Sequence, residues 1–103
     1  MPPSSLPTSS GVRGVSSHEG LRKDIDDIDD RILLLLAERM HVATRIGARK
    51  KETRVPVRDR ERENEVVKHW EDRALALGLS APLAARIAQI VMEMSRDAQE
   101  ALR

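Results

Sequence analysis

Three basic residues in this chain could bind an anion: Arg22, Arg39 and Lys50, all on one long predicted helix. Apolar residues recur along this helix in steps of three and four, which is the period of one helix face. The step that follows Leu35 reaches Arg39, and Lys50 lies four residues after Ile46. A charge on the apolar stripe of a helix is costly unless an anion neutralises it. The pattern therefore predicts an anion-binding cavity between helices.

Arg39 and Lys50 share one face of the predicted helix. Their separation of eleven residues places them about 20° apart around the axis and about 16 Å apart along it, so both could reach one ligand. Arg22 lies about 25 Å before Arg39 and about 100° off that face, so it could join the same pocket only from another chain. The alternative is that the apolar stripe simply ends and that Arg39 and Lys50 extend into water.

Polar residues also extend the apolar face of the last predicted helix. Ser95 and Gln99 are four residues apart and continue the side on which Val91 lies, so they share one helix face. Such a pair is typical of a polar patch that faces a cavity, and the alternative is two solvent-facing residues near a helix end. A second polar group begins the preceding helix, where an N-cap and exposed first-turn charges are the simpler interpretation: Asp59, Arg62 and Glu63.

Three helices are predicted to position these residues. They cover about Leu21–Glu52, Arg60–Leu77 and Ala81–Leu102, and we find no strand pattern and no internal repeat. Typical start and stop residues bound the three segments: Pro56, Asp59, Gly78 and Ser80.

The composition also favours helices. Trp70 is the sole aromatic residue, so the core must be built from aliphatic side chains, which suits packed helices better than a sheet. We predict an all-α fold with one long and two shorter helices. The first helix would be about 45 Å long, too long for a small body to cover. Its apolar stripe therefore predicts a partner, most simply a second copy in an intertwined homodimer.

Charge and cysteine content exclude several classes of protein. The 18 basic residues are balanced by 17 acidic ones, for a net charge of +1, so nucleic-acid binding, which needs clustered basic residues, is not expected. The chain has no cysteine, which excludes disulfides, thiolate metal sites and a cysteine nucleophile. No stretch approaches the roughly 20 apolar residues that span a bilayer. We expect neither a membrane nor a metal ion or cofactor to take part.

The first nineteen residues differ in composition from the rest. Segment 1–19 is rich in serine and holds three of the five prolines, so we predict a disordered N-terminal tail followed by one domain over 20–103. The tail lacks the basic and apolar regions of a signal peptide. A cytoplasmic location is therefore expected.

An ordered set of short motifs resembles the all-helical chorismate mutases. The run LRKDIDDIDDRILLLLAERMHVATRIGARKKETRVPVRDRERE contains a leading Leu-Arg-x-x-Ile-Asp, a later Arg, a Gly-x-x-Lys, a Pro-Val-x-Asp and an Arg-Glu. The ending IVMEMSRDAQ is similar to the last helix of that family, with its Ser-x-x-x-Gln. The resemblance covers about residues 20–103, and it is the ordered set with its spacings, rather than any single motif, that is specific.

The resemblance implies roles for the residues already singled out. Arg39 is similar to the arginine that grips one substrate carboxylate, and Arg22 to the arginine that the partner subunit contributes for the second. Lys50 resembles the lysine that contacts a carboxylate and the ether oxygen of the breaking bond, and Gln99 resembles the residue on the other side of that oxygen. The remaining positions resemble those that hold the ring hydroxyl, Asp59 and Glu63, and those that support the pocket, Arg62 and Ser95.

The activity that the resemblance implies is the rearrangement of chorismate to prephenate, a unimolecular reaction that needs no nucleophile, metal or cofactor. It needs a folded conformer of a dianion and donors aimed at the ether oxygen. Related helical proteins act on the 4-amino analogue of chorismate or split isochorismate, and Glu63 could equally face an ammonium group. A non-enzymatic helical dimerisation module is the alternative of a different class, but it gives no reason for polar residues to interrupt apolar faces.

Overall fold

A computed structural model describes residues 17–101 and shows them as three helices without a strand. Helix α1 covers His18–Thr53, α2 covers Arg60–Ala76 and α3 covers Ala81–Glu100. The predicted all-α fold, with one long and two shorter helices, is confirmed for this part of the chain. Among residues 17–101, none of the helices has the length and apolar character that a membrane span requires.

The helix ends follow the local signals in the sequence. The Asp59 side chain caps α2 by accepting a hydrogen bond from the Arg62 backbone N–H at 3.0 Å. Ser80 caps α3 in the same way through the Leu83 N–H at 3.2 Å. Past the end of α2, Gly78 has a φ of 77°, a left-handed conformation that glycine adopts without steric cost. These three ends lie within a residue of the predicted ones.

Helix α1 begins earlier than the sequence predicts. It starts at His18 rather than at Leu21, so it extends into the segment that we predicted as a tail. The prediction for the remainder of that tail falls on residues 1–16, which lie outside the described residues. At its other end, α1 is followed by Arg54 with a φ of 60°, which turns the chain into the connection before α2.

The chain divides into two compact units at Leu35. In the first unit, the described residues 17–35 belong to α1 apart from Ser17. None of the side chains at positions 17–35 is buried, and the large apolar ones among them are between 42% and 70% exposed: Leu21, Ile25, Ile28, Ile32, Leu33, Leu34 and Leu35. These exposed side chains form an apolar stripe along the described part of the first unit.

The second unit comprises residues 36–103, and its described part contains a core of mostly small side chains. Ala43 and Gly47 are buried on α1, and Ala74 is buried on α2. Helix α3 contributes the rest of the buried set: Ala84, Ala88, Val91, Met92, Ser95 and Gln99. Small residues allow helix backbones to approach closely, so this core brings polar side chains of one helix near those of another.

The apolar residues of α3 divide between a packed face and an exposed one. Val91 is buried, whereas the larger apolar side chains remain 41–59% exposed: Leu83, Ile87, Ile90 and Met94. The buried face is the one that carries Ala84 and Ala88. Helix α3 therefore has two apolar faces, and the small-residue face is the one used within a single chain.

Candidate active site

A cavity of about 440 Å³ in the second unit is lined by polar and apolar side chains of all three helices. We call it the Arg39 cavity. Seven of the residues singled out from the sequence line it: Arg39, Lys50, Asp59, Arg62, Glu63, Ser95 and Gln99. The eighth, Arg22, lies in the first unit, so its predicted part in the site stays a prediction. The apolar part of the lining comes from residues that we did not single out for a site: Val42, Ala43, Ile46, Val66 and Met92.

Arg39 is held in this cavity by a buried hydroxyl group. Its Nη1 donates a hydrogen bond to Ser95 Oγ at 2.5 Å, and that hydroxyl in turn donates to the Val91 carbonyl at 3.1 Å. Partial burial lowers the pKa of Arg39 below its usual value, and the positive charge of Arg62 lowers it further. Arginine nevertheless stays protonated in proteins. The cavity thus holds a cation in a place that an anionic ligand would stabilise.

Lys50 is anchored to the connection between α1 and α2. Its Nζ donates a hydrogen bond to the Val57 carbonyl at 2.7 Å, and the side chain is half-buried. The ammonium group has two further donor positions. Because the loop carbonyl fixes its position, Lys50 does not extend freely into water, which was the alternative for this residue. This partner could not be predicted from the sequence, since every residue carries a backbone carbonyl.

Gln99 is buried, and its side-chain oxygen has no hydrogen-bond partner within the described part of the chain. Buried polar groups are nearly always hydrogen-bonded, so such an atom calls for an explanation. A ligand in the cavity that carries a donor, or a rotated amide that turns its N–H₂ group inward, would supply one. The alternative interpretation, in which Ser95 and Gln99 face solvent near a helix end, is wrong, since both are buried.

Gly47 allows Gln99 to occupy this position. A Cβ atom on Gly47 would lie 2.9 Å from Gln99 Cα and 3.0 Å from both Cβ and Cγ of the same residue. Contacts that short with a backbone atom require the helices to move apart. Gly47 in the interior of α1 therefore allows the close approach of α1 and α3, at a cost of about 1 kcal/mol in helix propensity.

Glu63 is clamped by two arginines that sequence reasoning missed. Its Oε2 accepts a hydrogen bond from Arg96 Nη1 at 2.5 Å, and its Oε1 accepts one from Arg58 Nε at 3.2 Å. Arg96 also lines the cavity. The spacing of Met92, Arg96 and Gln99 on one face of α3 could have indicated Arg96, but its partner on α2 could not be inferred from local pattern.

Asp59 and Arg62 line the same cavity but are exposed and have partners of their own. The Asp59 carboxylate caps α2, and Arg62 pairs with Glu65 at 3.3 Å with its side chain 69% exposed. The N-cap interpretation of Asp59 is thus confirmed. An exposed pair of this kind contributes little to stability, so Arg62 can exchange partners at small cost.

The cavity combines fixed cations with a buried amide. Arg39 and Lys50 offer positive charge where solvent is partly excluded, and Gln99 can offer a neutral donor between the same helices. Groups of this kind can bind a small molecule with more than one negative charge and can stabilise negative charge that develops during a reaction. Glu63 adds an acceptor for a hydroxyl group.

A family model and several known proteins are similar to this chain, and all of them point to one family. The family model described as chorismate mutase type II matches residues 21–100. A protein of Methanocaldococcus jannaschii named chorismate mutase is 30% identical over 80 residues, which cover 78% of this chain and 81% of that protein.

Bifunctional proteins are also similar to this chain. The chorismate mutase/prephenate dehydratase of Escherichia coli (strain K12) is 35% identical over 82 residues, which cover 80% of this chain and 21% of that protein. The protein of the same name from Aquifex aeolicus is 50% identical over 46 residues, or 45% of this chain and 13% of that protein. The chain thus matches about a fifth or less of the length of these bifunctional relatives.

Proposed function

We propose that this chain, which belongs to the chorismate mutase type II family, is an isomerase that converts chorismate to prephenate. The observation that carries the proposal is the Arg39 cavity, in which two cations, a buried amide and a carboxylate from three helices line one space. In the reaction one carbon–oxygen bond breaks and one carbon–carbon bond forms within the same molecule. No group leaves, so the protein needs only to position the substrate and to stabilise developing charge.

The cavity residues divide this work between binding and charge stabilisation. Arg39, fixed by Ser95, holds one carboxylate of the substrate. Lys50, fixed by the Val57 carbonyl, and Gln99 face the ether oxygen from two sides. Negative charge grows on that oxygen as its bond to carbon breaks, and donors that are already in place stabilise it without reorganisation. Glu63 accepts a hydrogen bond from the ring hydroxyl, beside Asp59, and Arg62 supports the pocket.

Turnover of chorismate tests this proposal directly. Purified protein is incubated with chorismate, loss of the substrate is followed by ultraviolet absorbance, and the product is identified by chromatography. We expect prephenate as the product. The same assay with the 4-amino analogue and with isochorismate distinguishes the two related activities. Absence of turnover with all three substrates would leave a non-enzymatic dimerisation module as the better interpretation.

A homodimer would cover the exposed apolar stripe and would add a further arginine to each site. The apolar stripe of residues 17–35 is exposed in a single copy, and such a stripe needs a partner helix. Arg22 lies on the same segment, so a second copy that covers the stripe could bring its Arg22 to the Arg39 cavity. We therefore propose that each site uses Arg39 of one chain and Arg22 of the other. A cytoplasmic location stays a prediction from the sequence.

Subunit exchange tests the shared site. Arg22→Ala and Arg39→Ala proteins, each nearly inactive alone, are mixed under conditions that allow dimers to exchange. A mixed dimer then has one site with both arginines and one with neither. With random exchange half of the dimers are mixed, so activity should return to about a quarter of the wild-type value. If both arginines serve one site from the same chain, mixing will restore nothing.

Substitution of the glycine that faces Gln99 tests the close helix approach. We expect Gly47→Ala to lower the free energy of unfolding by about 1–3 kcal/mol, because the added Cβ overpacks the interface. The kcat/KM should fall by about tenfold or more, since Gln99 is displaced from the reacting oxygen. Chemical denaturation and the chorismate assay measure the two effects.

The matched control for this change is Ala48→Gly on the exposed side of α1. It should cost about 1 kcal/mol through helix propensity alone and leave kcat/KM unchanged. Wild-type stability and activity in Gly47→Ala would contradict the proposed packing.

A further inference from the structure

Glu63 is the most constrained carboxylate in the Arg39 cavity. Its side chain is 17% exposed, and each of its oxygens accepts a hydrogen bond from a different arginine. Arg96 reaches it from α3, with a side chain 27% exposed. Arg58 reaches it from the connection that precedes α2, with a side chain 48% exposed. The carboxylate is therefore held in place from two sides.

The cluster of Arg58, Glu63 and Arg96 carries more positive than negative charge. Two guanidinium groups surround one carboxylate, which leaves a formal charge of +1. The same cavity is lined by three further cations, Arg39, Lys50 and Arg62, against one further carboxylate, Asp59, so positive charge stays in excess. A hydroxyl group can donate a hydrogen bond to a remaining lone pair of Glu63 without a charge penalty. An ammonium group in the same place would lie close to both guanidinium groups and would be repelled.

We propose that Arg96, by pairing with Glu63, makes the Arg39 cavity select a substrate with a ring hydroxyl over one with a ring ammonium group. The inference rests on the proposed function and decides between two substrates that the sequence leaves open. Arg96 acts through Glu63, so it is a positioning and specificity-determining residue rather than a catalytic one. A carboxylate at position 63 without arginine partners would attract an ammonium group. Pairing with Arg96 and Arg58 removes that attraction.

Arg96 is expected to influence the substrate preference more than Arg58 does, for two reasons. Arg96 lines the cavity, whereas Arg58 does not. Its side chain is also less exposed than that of Arg58, so solvent screens its charge less. Substitution of Arg96 should therefore change the choice of substrate more than substitution of Arg58.

The test compares kcat/KM for chorismate and for its 4-amino analogue in the same preparations. The wild-type protein should prefer chorismate. In Arg96→Met the ratio of the two values should shift toward the amino analogue by about tenfold, because one positive charge near the ammonium position is removed. Arg96→Lys, which keeps the charge, should stay within about threefold of the wild-type ratio.

Two further variants separate charge selection from structural damage. Lys68→Met removes an exposed cation, 76% exposed and paired with Asp72, and should leave the ratio unchanged. Arg58→Met should shift the ratio in the same direction as Arg96→Met but by about threefold, since its charge is more screened. This variant also carries the test if Arg96→Met does not fold.

The possible outcomes are distinct from those that test the proposed function. A wild-type protein that turns over neither substrate would refute the proposed function, and the inference with it. A wild-type protein that acts on chorismate, with a substrate ratio that is unchanged in Arg96→Met and Arg58→Met, would overturn the inference alone. A wild-type preference for the amino analogue would overturn the inference and also the choice of chorismate as the substrate. Equal losses on both substrates would show that Arg96 has only a structural role.

Discussion

Substitution of Lys50 by methionine is expected to lower kcat/KM for chorismate by about 10³-fold, the largest effect of any single change at the site. Its Nζ donates a hydrogen bond to the Val57 carbonyl, so the ammonium group is positioned before a ligand arrives. Removal of one preorganised donor at a developing negative charge typically costs 10²–10³-fold in kcat, and loss of a carboxylate contact adds to it. Methionine keeps much of the apolar stem, which limits the change in packing.

Steady-state kinetics with chorismate measure this effect, and the split between kcat and KM tells where it arises. A lower kcat reports lost stabilisation of the ether oxygen, whereas a higher KM alone would report lost substrate binding. The control is Lys68→Met, which removes an equal charge from the exposed face of α2. Activity of Lys50→Met within tenfold of the wild type would rule out the assigned role.

Replacement of Gln99 by glutamate is expected to make the activity depend strongly on pH. At neutral pH an ionised carboxylate would face the ether oxygen and repel the developing charge, so kcat/KM should fall by about 10²–10³-fold. A protonated carboxyl group can donate a hydrogen bond as the amide does. Activity should therefore rise as the pH falls, by about tenfold per unit, until the pH reaches the pKa of the new group.

Two opposing influences set that pKa. Burial at position 99 raises the pKa of a carboxyl group, while the nearby positive charge of Lys50 lowers it. The wild-type amide does not titrate, so the wild-type protein is the control and should show no such rise over the same range. The kcat/KM of both proteins is measured from about pH 5 to pH 8. A flat profile for Gln99→Glu would exclude Gln99 as the donor to the ether oxygen.

Local features of the fold follow from the sequence because their causes are local. The N-caps at Asp59 and Ser80 satisfy backbone donors only three residues away, and Gly78 turns the chain at its own position. Apolar period and end signals therefore predicted three helices to within about three residues at each end. The start of α1 at His18 is the largest difference, since the residues before Leu21 offer no apolar period to mark it.

The choice of packing face could not be predicted in the same way. Helix α3 carries large apolar residues on one face and Ala84, Ala88 and Val91 on another. Its sequence alone favours the larger ones as the core, because they bury more apolar area. In the single chain the small face packs instead, and Leu83 and Ile87 stay exposed. Which face is buried depends on the shape of the neighbouring helices.

The amino-acid sequence is enough to show that basic and polar residues interrupt apolar helix faces, because helical geometry fixes which residues share a face. The pairing of those residues is visible in the folded chain alone. The Glu63–Arg96 contact joins residues 33 positions apart, the Val57 carbonyl holds Lys50, and Gly47 meets Gln99 across two helices. Such pairs depend on how closely the helices pack and in what register. The local apolar period of the sequence does not specify either of these quantities.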